Sequence, residues 1–302
     1  MVRVLVLLSG GLDSRLACKL LQEQKNLEVE AIFFLLPFSG GCCADKFCVF
    51  KFCQKQGIKL NIIDCTKGKS FEEYMEMLRH PKFSRGTALN PCIDCHLFML
   101  KKAKEFADKN KIKIIATGEV LNERPLSQNK KALLLIQEEL RFPVLRPLSA
   151  KLLPETEYEK SGLIDRKKLL DIRGRQRKKQ IELANKYKID YPSPGGGCLL
   201  CEPGFCRKLK EILENKKLKY KDIKLLSIGR HFLESKIILG RNKGENLILE
   251  QQQGIKLIPI QPGPTALIKE ENKHEKDKLI EKAKELMQRY SRHKIEEFRI
   301  KV

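Results

Sequence analysis

Apolar runs separated by amphipathic stretches characterise the first 120 residues. Residues 2–8 (VRVLVLL) form a nearly continuous apolar run rich in β-branched side chains, which is typical of a buried parallel strand. Three further runs predict strands at residues 31–36, 59–64 and 113–117. The intervening stretches carry apolar residues at helical spacing. This alternation predicts an α/β fold with a parallel sheet, in which ligands bind at the carboxyl ends of the strands.

The pattern changes near residue 190. Residues 191–206 (YPSPGGGCLLCEPGFC) form a Pro/Gly/Cys-rich loop that breaks regular structure. Beyond it, KIILG, NLILEQ and IKLIPI are separated by turn sequences and predict three short strands. The end of the chain is a charged helical stretch with a weak apolar face. We therefore predict four segments, namely a large domain, a Gly/Cys-rich loop, a smaller α+β domain and a charged helix, at residues 1–190, 191–206, 207–270 and 271–302.

Charge narrows the class of partner. The 302 residues include 60 Lys and Arg against 38 Asp and Glu, a net charge of +22. Such an excess favours a polyanion, nucleic acid first and an anionic membrane surface second, although a Lys-rich surface gives the same total. No apolar stretch is long enough to span a bilayer. Arg3 interrupts the first apolar run, so we predict no secretory signal, a cytoplasmic protein, and cysteines that are reduced, metal-bound or catalytic.

A glycine loop follows the first predicted strand at residues 9–14 (SGGLDS). Its glycines let the backbone approach an anion, and the following helix start offers free N–H groups. The loop resembles the SGGxDS signature of the PP-loop ATP pyrophosphatases, whose domain is adenine nucleotide α-hydrolase-like. This resemblance implies that ATP is cleaved between its α and β phosphates and that AMP is transferred to a substrate oxygen. It also implies a site for pyrophosphate and Mg²⁺ at Ser9, Gly10, Gly11, Asp13 and Ser14. Phe33, at the end of the second strand, is a candidate to flank the adenine.

Three further segments resemble tRNA thiolation enzymes. NPCIDC (residues 90–95) resembles an element of the tRNA 2-thiouridylases, and ATGE (residues 116–119) resembles one of the 4-thiouridine synthetases. The second resemblance makes Thr117 and Gly118 candidate nucleotide-binding residues. Residues 146–148 (RPL) resemble an element of both groups. The resemblance covers about residues 1–205. It implies an ATP-dependent tRNA sulfurtransferase that adenylates a uridine carbonyl and replaces its oxygen with sulfur, which gives 4-thiouridine or 2-thiouridine. A PP-loop ligase with a nitrogen nucleophile is the alternative.

Cysteine spacing leaves the form of the sulfur chemistry open. Cys92, Cys95 and Cys198 are the candidate catalytic and metal-binding residues, and the resemblance implies that they ligate a 4Fe-4S cluster. A persulfide relay through two of them is a second reading, and zinc bound with Cys201 is a third. A helix start is expected to lower the thiol pKa at Cys95. The roles of Cys42, Cys43 and Cys206 stay open, and we interpret His96 as a solvated or capping residue.

Basic residues predict the RNA contacts. A dense cluster suited to phosphate contacts comprises Arg173, Arg175, Arg177, Lys178 and Lys179. Residues 222–268 resemble the small RNA-binding domain of the NFACT ribosome-quality-control proteins, through GRNKGEN and PGPT. The predicted partners are tRNA and a sulfur donor, either sulfide or the persulfide of a cysteine desulfurase. The resemblance also allows a homodimer, because some members of these families pair on one tRNA.

Overall fold

The computed structural model describes residues 1–40, 46–86, 88–193, 197–269 and 275–302. The chain divides into two compact units, Met1–Cys201 and Glu202–Val302, called here the N-terminal and C-terminal units. The strands of the N-terminal unit are β1 (Val2–Leu7), β2 (Leu27–Leu35), β3 (Lys59–Asp64) and β4 (Ile114–Thr117). Its helices are α1 (Leu12–Gln22), α2 (Lys46–Gln56), α3 (Gly68–Arg79), α4 (Cys92–Lys109), α5 (Lys130–Leu140), α6 (Glu157–Lys160) and α7 (Lys178–Tyr187).

The four strands of the N-terminal unit form one parallel sheet in the order β3-β2-β1-β4. Alternate residues of β1 point into two different cores: Val4 and Val6 into one, Leu5 into the other. Both faces of the sheet are therefore covered, as expected for parallel strands with near-continuous apolar sequences. The predicted α/β class and all four predicted strands are confirmed. The carboxyl ends of β1 and β4, which are neighbours in the sheet, bring the glycine loop beside residues 117–119.

The C-terminal unit contains an antiparallel sheet of five short strands in the order β5-β6-β8-β7-β9. These strands are β5 (Arg230–Phe232), β6 (Ile237–Leu239), β7 (Ile255–Pro259), β8 (Ala266–Ile268) and β9 (Phe298–Lys301). Its helices are α8 (Pro203–Ile212), α9 (Tyr220–Leu225), α10 (Lys243–Glu250) and α11 (Lys276–Tyr290). The weak apolar face of the terminal helix packs on this sheet, with Ala283 and Met287 fully buried.

One predicted strand is wrong, because NLILEQ lies mostly in α10. Asn242 caps this helix by accepting a hydrogen bond from the backbone N–H of Glu245 at 3.0 Å. Arg241 donates to Glu245 from Nε at 2.9 Å, which adds a second restraint on the first turn. The cap overrides the β propensity of the Leu-Ile-Leu run, of which only Leu249 is fully buried.

The two motifs that resemble the NFACT domain meet in the C-terminal unit. Asn246, at the end of GRNKGEN, donates from Nδ2 to the carbonyl of Gly263 at 3.0 Å. Its Oδ1 accepts from the backbone N–H of Thr265 at 3.1 Å, so one side chain holds PGPT in place. Among the described residues, no helix is both long enough and apolar enough to cross a membrane.

Candidate nucleotide and thiol site

The glycine loop ends in a helix start whose N–H groups are free to bind an anion. Gly11 is the N-cap of α1 and no side chain caps it. Ser14 donates from its hydroxyl to the carbonyl of Gly11 at 3.0 Å and lies 3.3 Å from the Ser9 hydroxyl. Gly10 has φ +87°, a conformation that favours glycine. The loop therefore has the local geometry expected of a phosphate-binding turn.

Two neighbours fix this loop. Arg15 is 4% exposed and donates from Nε to the carbonyl of Gly10 at 2.7 Å. On the other side, Gly118 lies directly against α1, because a Cβ at that position would be 2.5 Å from the backbone N of Ser14. Only glycine permits so close an approach of the two chain segments. Gly118 was predicted as a nucleotide-site residue, and the structure places it against the loop.

Asp13 lies at this loop with part of its carboxylate unsatisfied. Its Oδ1 is buried without a hydrogen-bond partner, and its Oδ2 lies 3.9 Å from Nη2 of Arg177. Burial raises the pKa of Asp13, and the nearby charge of Arg177 only partly opposes this. A buried carboxylate oxygen without a partner is the kind of ligand that Mg²⁺ takes up. The chemistry of this group therefore fits the cation that the resemblance implies.

The predicted RNA contacts do not all face the solvent. Arg173, Arg175, Lys178 and Lys179 are exposed, whereas the side chain of Arg177 is only 22% exposed. It turns inward toward Asp13 and Glu123, with its Nε 4.0 Å from Glu123 Oε1. Arg177 therefore lies in the nucleotide region, and the basic sequence around it gave no sign of this.

Phe33 and Thr117 are placed differently from the sequence prediction. The ring of Phe33 is 1% exposed within the hydrophobic core, so it offers no face to an adenine, which corrects that assignment. Thr117 is 5% exposed and donates from its hydroxyl to Glu119 at 3.0 Å. Its side chain therefore supports a neighbouring carboxylate.

Cys92 and Cys95 occupy the first turn of α4. Asn90 donates from Nδ2 to Cys92 Sγ at 3.5 Å, and the Tyr74 hydroxyl lies 3.4 Å from Cys95 Sγ. Desolvation raises the pKa of Cys95 to about 12; the Tyr74 contact opposes this and the charge of Cys92 adds to it. The expected lowering of the thiol pKa is therefore wrong, because burial outweighs the helix dipole.

Backbone hydrogen bonds hold the second pair of cysteines in the N-terminal unit. Leu199 N–H donates to the carbonyl of Phe38 at 3.0 Å, and Leu89 N–H donates to the carbonyl of Leu200 at 3.1 Å. The segment between Cys198 and Cys201 is thus fixed to the residues just before α4. Although Cys198 is exposed, desolvation by neighbouring atoms raises its pKa, and the charges of Cys95, Cys201 and Cys92 raise it further.

The four thiols therefore share one neighbourhood. Within the described ranges, no three His, Cys, Asp or Glu side chains form a group able to hold a metal ion. These thiols are therefore not arranged as metal ligands in this structure, although their residue type suits an iron–sulfur cluster or zinc, since both prefer thiolates. Cys42 and Cys43 lie outside the described residues. Cys206 is buried in α8.

A buried network that the sequence did not predict connects the thiol helix with β4. His96, 22% exposed, lies with Nδ1 2.7 Å from Glu119 Oε1. Arg146 donates from Nε to Glu119 Oε2 at 2.9 Å. His96 is therefore neither a cap nor a freely solvated residue. The motifs ATGE and RPL were the available signals, but neither indicated that Glu119 and Arg146 form a pair.

Acid should weaken the fold through Glu119. Burial alone raises the pKa of this carboxyl, but Arg146 and His96 outweigh it and hold the pKa at about 2 against an ordinary 4.5. Because the folded pKa is depressed, the stabilisation is present above about pH 4.5 and lost as the pH falls toward 2. We expect wild type to lose about 3 kcal/mol of unfolding free energy over that range through this group alone. Urea unfolding of wild type and Glu119→Gln at several pH values measures it, and parallel profiles would contradict the prediction.

Comparison with known proteins gives partial matches. Residues 2–141 match the family model of the tRNA methyl transferase HUP domain. The tRNA-specific 2-thiouridylase MnmA of Campylobacter concisus is 31% identical over 119 residues, covering 39% of this chain and 34% of that protein. The tRNA-specific 2-thiouridylase MnmA of Karelsulcia muelleri is 26% identical over 277 residues, covering 84% of this chain and 70% of that protein. The chain thus spans about a third of the first relative and about two thirds of the second.

Two solved structures are also similar. One is described as a predicted subunit of tRNA methyltransferase from Methanocaldococcus jannaschii, with a TM-score of 0.33, 18% identity and coverage of 49% of this chain and 69% of that one. The other is the U34-tRNA thiolase NcsA from Methanococcus maripaludis with its [4Fe-4S] cluster. It has a TM-score of 0.41 and 18% identity, and the match covers 75% of this chain and 71% of that one. Residues 2–141 are thus similar to the tRNA methyl transferase HUP domain, and they contain the parallel sheet described above. Over the ranges given, the chain is also similar to tRNA-specific 2-thiouridylases, one of the groups that its motifs resemble.

Proposed function

We propose that this chain is an ATP-dependent tRNA sulfurtransferase that converts a uridine into 4-thiouridine or 2-thiouridine. The observation that carries the proposal is a continuous path of contacts between the two halves of the site. Ser14 of the glycine loop contacts Gly118. Glu119, which follows Gly118, binds His96, and His96 follows Cys95 in α4. A nucleotide loop and a group of thiols are thus built from adjoining segments of one sheet edge.

The first step activates the uridine. The free N–H groups of α1 and the hydroxyls of Ser9 and Ser14 would bind the phosphates that leave as pyrophosphate. Asp13 would hold the accompanying Mg²⁺. The uridine carbonyl oxygen attacks the α-phosphorus of ATP, the bond between the α and β phosphates breaks, and an O-adenylated uridine forms.

The second step introduces sulfur. A sulfide nucleophile attacks the activated carbon, and the original oxygen departs with AMP, so no net oxidation occurs. If the donor is a cysteine persulfide instead, its outer sulfur attacks the activated carbon and AMP departs. A second thiol then attacks the inner sulfur, which releases thiouridine and leaves a disulfide between the two cysteines that an external thiol later reduces. Cys92, Cys95 and Cys198 would hold a 4Fe-4S cluster, which supplies a site for sulfide when bound.

The tRNA would be held by exposed basic side chains. Arg173, Arg175, Lys178 and Lys179 are exposed just before and at the start of α7, and the net charge of +22 favours a polyanion. The C-terminal unit, with its Asn246-linked motifs, is proposed as a second RNA-binding element. A homodimer, the sulfur donor and the cytoplasmic location belong to the same proposal.

The proposal is tested with purified protein under anaerobic conditions, with unmodified tRNA, Mg-ATP and sulfide. We expect thiouridine by nucleoside mass spectrometry, together with equal amounts of AMP and pyrophosphate. Pyrophosphate release without thiouridine, with AMP released only when an amine is added, would instead identify the ligase alternative. No pyrophosphate release with any tRNA would exclude both enzymatic functions.

A further inference from the structure

Arg177 has an arrangement that an RNA contact does not require. It is the N-cap of α7, where its backbone adopts φ +54°, a strained conformation for a residue with a side chain. The preceding segment is fixed by backbone hydrogen bonds, including Gly174 N–H to the carbonyl of Leu121 at 2.8 Å. Backbone strain and anchoring together place the guanidinium of Arg177 between Asp13 and Glu123.

The contacts of Arg177 are charged yet incomplete. Its distances of 3.9 Å to Asp13 and 4.0 Å to Glu123 exceed hydrogen-bond length. Arg177 Nε and Asp13 Oδ1 are both buried without a partner. Gln180, 1% exposed, directs its amide toward Asp13, yet its Nε2 also lacks a formed hydrogen bond. Several buried polar groups thus converge on one point and none is satisfied there.

Such a cluster is suited to exchange one cation for another. Two neighbouring carboxylates need a positive charge beside them, and Arg177 is the main source of it in the nucleotide-free protein, with a smaller contribution from Arg124. Asp13 Oδ1 is closed off from solvent in this arrangement, so a metal ion reaches it only if a neighbouring group moves, and the guanidinium of Arg177 lies beside the same carboxylate. Glu123 follows β4 and Asp13 follows β1, so the two carboxylates come from neighbouring strand ends beside the glycine loop.

We propose that Arg177 is an exchangeable counter-ion of the nucleotide site. Without nucleotide it neutralises Asp13 and Glu123; with Mg-ATP bound, Asp13 and Glu123 would hold the magnesium ion and the guanidinium of Arg177 would contact the phosphates. The proposal rests on the proposed function for the identity of the nucleotide. It makes Glu123 a second magnesium ligand and removes Arg177 from the RNA-binding set.

The test measures binding without turnover. Mn²⁺ binding to the nucleotide-free protein is followed by electron paramagnetic resonance, and binding of Mg²⁺ with α,β-methylene-ATP by calorimetry. For Arg177→Gln we expect Mn²⁺ affinity to rise about tenfold, because the positive charge that competes for the carboxylates is lost. We expect analogue affinity to fall about tenfold, because the same charge no longer binds the phosphates. Lys186→Gln removes an exposed charge from the same helix and should change neither affinity. Adding Glu123→Gln to Arg177→Gln should abolish the gain in Mn²⁺ affinity.

Opposite changes in the two affinities are the signature of the exchange. Loss of tRNA affinity alone in Arg177→Gln would make Arg177 an ordinary RNA contact and overturn the inference, and so would equal losses in both affinities. If the glutamine variant does not fold, Arg177→Lys is used. It keeps the charge and the wild-type Mn²⁺ affinity but should lose severalfold in analogue affinity, and an unchanged value contradicts the proposal. If the wild-type protein fails to bind the analogue, both the inference and the proposed function are refuted. If the two affinities change in opposite directions but no thiouridine forms, only the proposed function is refuted.

Discussion

Replacing Asp13 with asparagine is expected to lower tRNA-dependent pyrophosphate release by about 10²- to 10³-fold, as the loss of one preorganised electrostatic group does at other active sites. The side chain keeps its size but loses the charge that would hold Mg²⁺. Stability should not fall, because the raised pKa of Asp13 shows that burial disfavours its ionised form. The measurements are single-turnover pyrophosphate release and urea unfolding.

The combination of lost activity with retained stability is what distinguishes a site residue from a structural one. Asp190→Asn is the matched control, because Asp190 is an exposed carboxylate that pairs with Lys55 at 2.8 Å. We expect that variant to keep the wild-type rate. A rate for Asp13→Asn within threefold of wild type, roughly 0.65 kcal/mol, would remove Asp13 from the reaction.

Serine at Cys95 or Cys198 is expected to abolish thiouridine formation while tRNA-dependent pyrophosphate release continues. The glycine loop that would activate the uridine does not include these thiols, so the two steps should separate. Nucleoside mass spectrometry reports thiouridine, and release of labelled pyrophosphate reports the activation step. Loss of both signals in a folded variant would instead place the cysteines in nucleotide binding.

Two further variants sharpen this result. Cys48→Ser is the control, since Cys48 accepts a hydrogen bond from Arg15 Nη2 at 3.0 Å and a hydroxyl can do the same. Cys201→Ser distinguishes an iron–sulfur cluster from a zinc site. A cluster held by three cysteines tolerates its loss, whereas zinc held by four does not. Iron, sulfide and zinc analysis of each purified variant provides the metal content directly.

Local sequence was sufficient for the parallel sheet and for the glycine loop. The strands are continuous apolar runs, and SGGLDS combines conformational and chemical requirements within six residues. The fold class and the position of the phosphate loop follow from such short-range patterns. The pairing of Cys198 with Cys92 and Cys95 was predicted by resemblance, since nothing local joins residues so far apart.

The remaining features depend on contacts between distant segments. The sequence predicts Arg177 as part of a basic surface, and only the fold turns its side chain toward Asp13. The sequence likewise favoured a solvated or capping role for His96, and only the fold places Glu119 beside it. In α10 the error was of another kind, because a polar cap decided between helix and strand where the apolar run alone favoured a strand.

The network of His96, Glu119 and Arg146 also bears on the order in which the chain matures during synthesis. His96 lies 23 residues before Glu119 and Arg146 lies 27 residues after it, so Glu119 has both partners only after Arg146 has left the ribosome. Until then, closing β4 against β1 would bury a carboxylate that lacks its main counter-ion, which is unfavourable. The nascent sheet edge should therefore stay open to chaperones and proteases until that residue emerges, and the nucleotide loop and the thiol helix would then become ordered together.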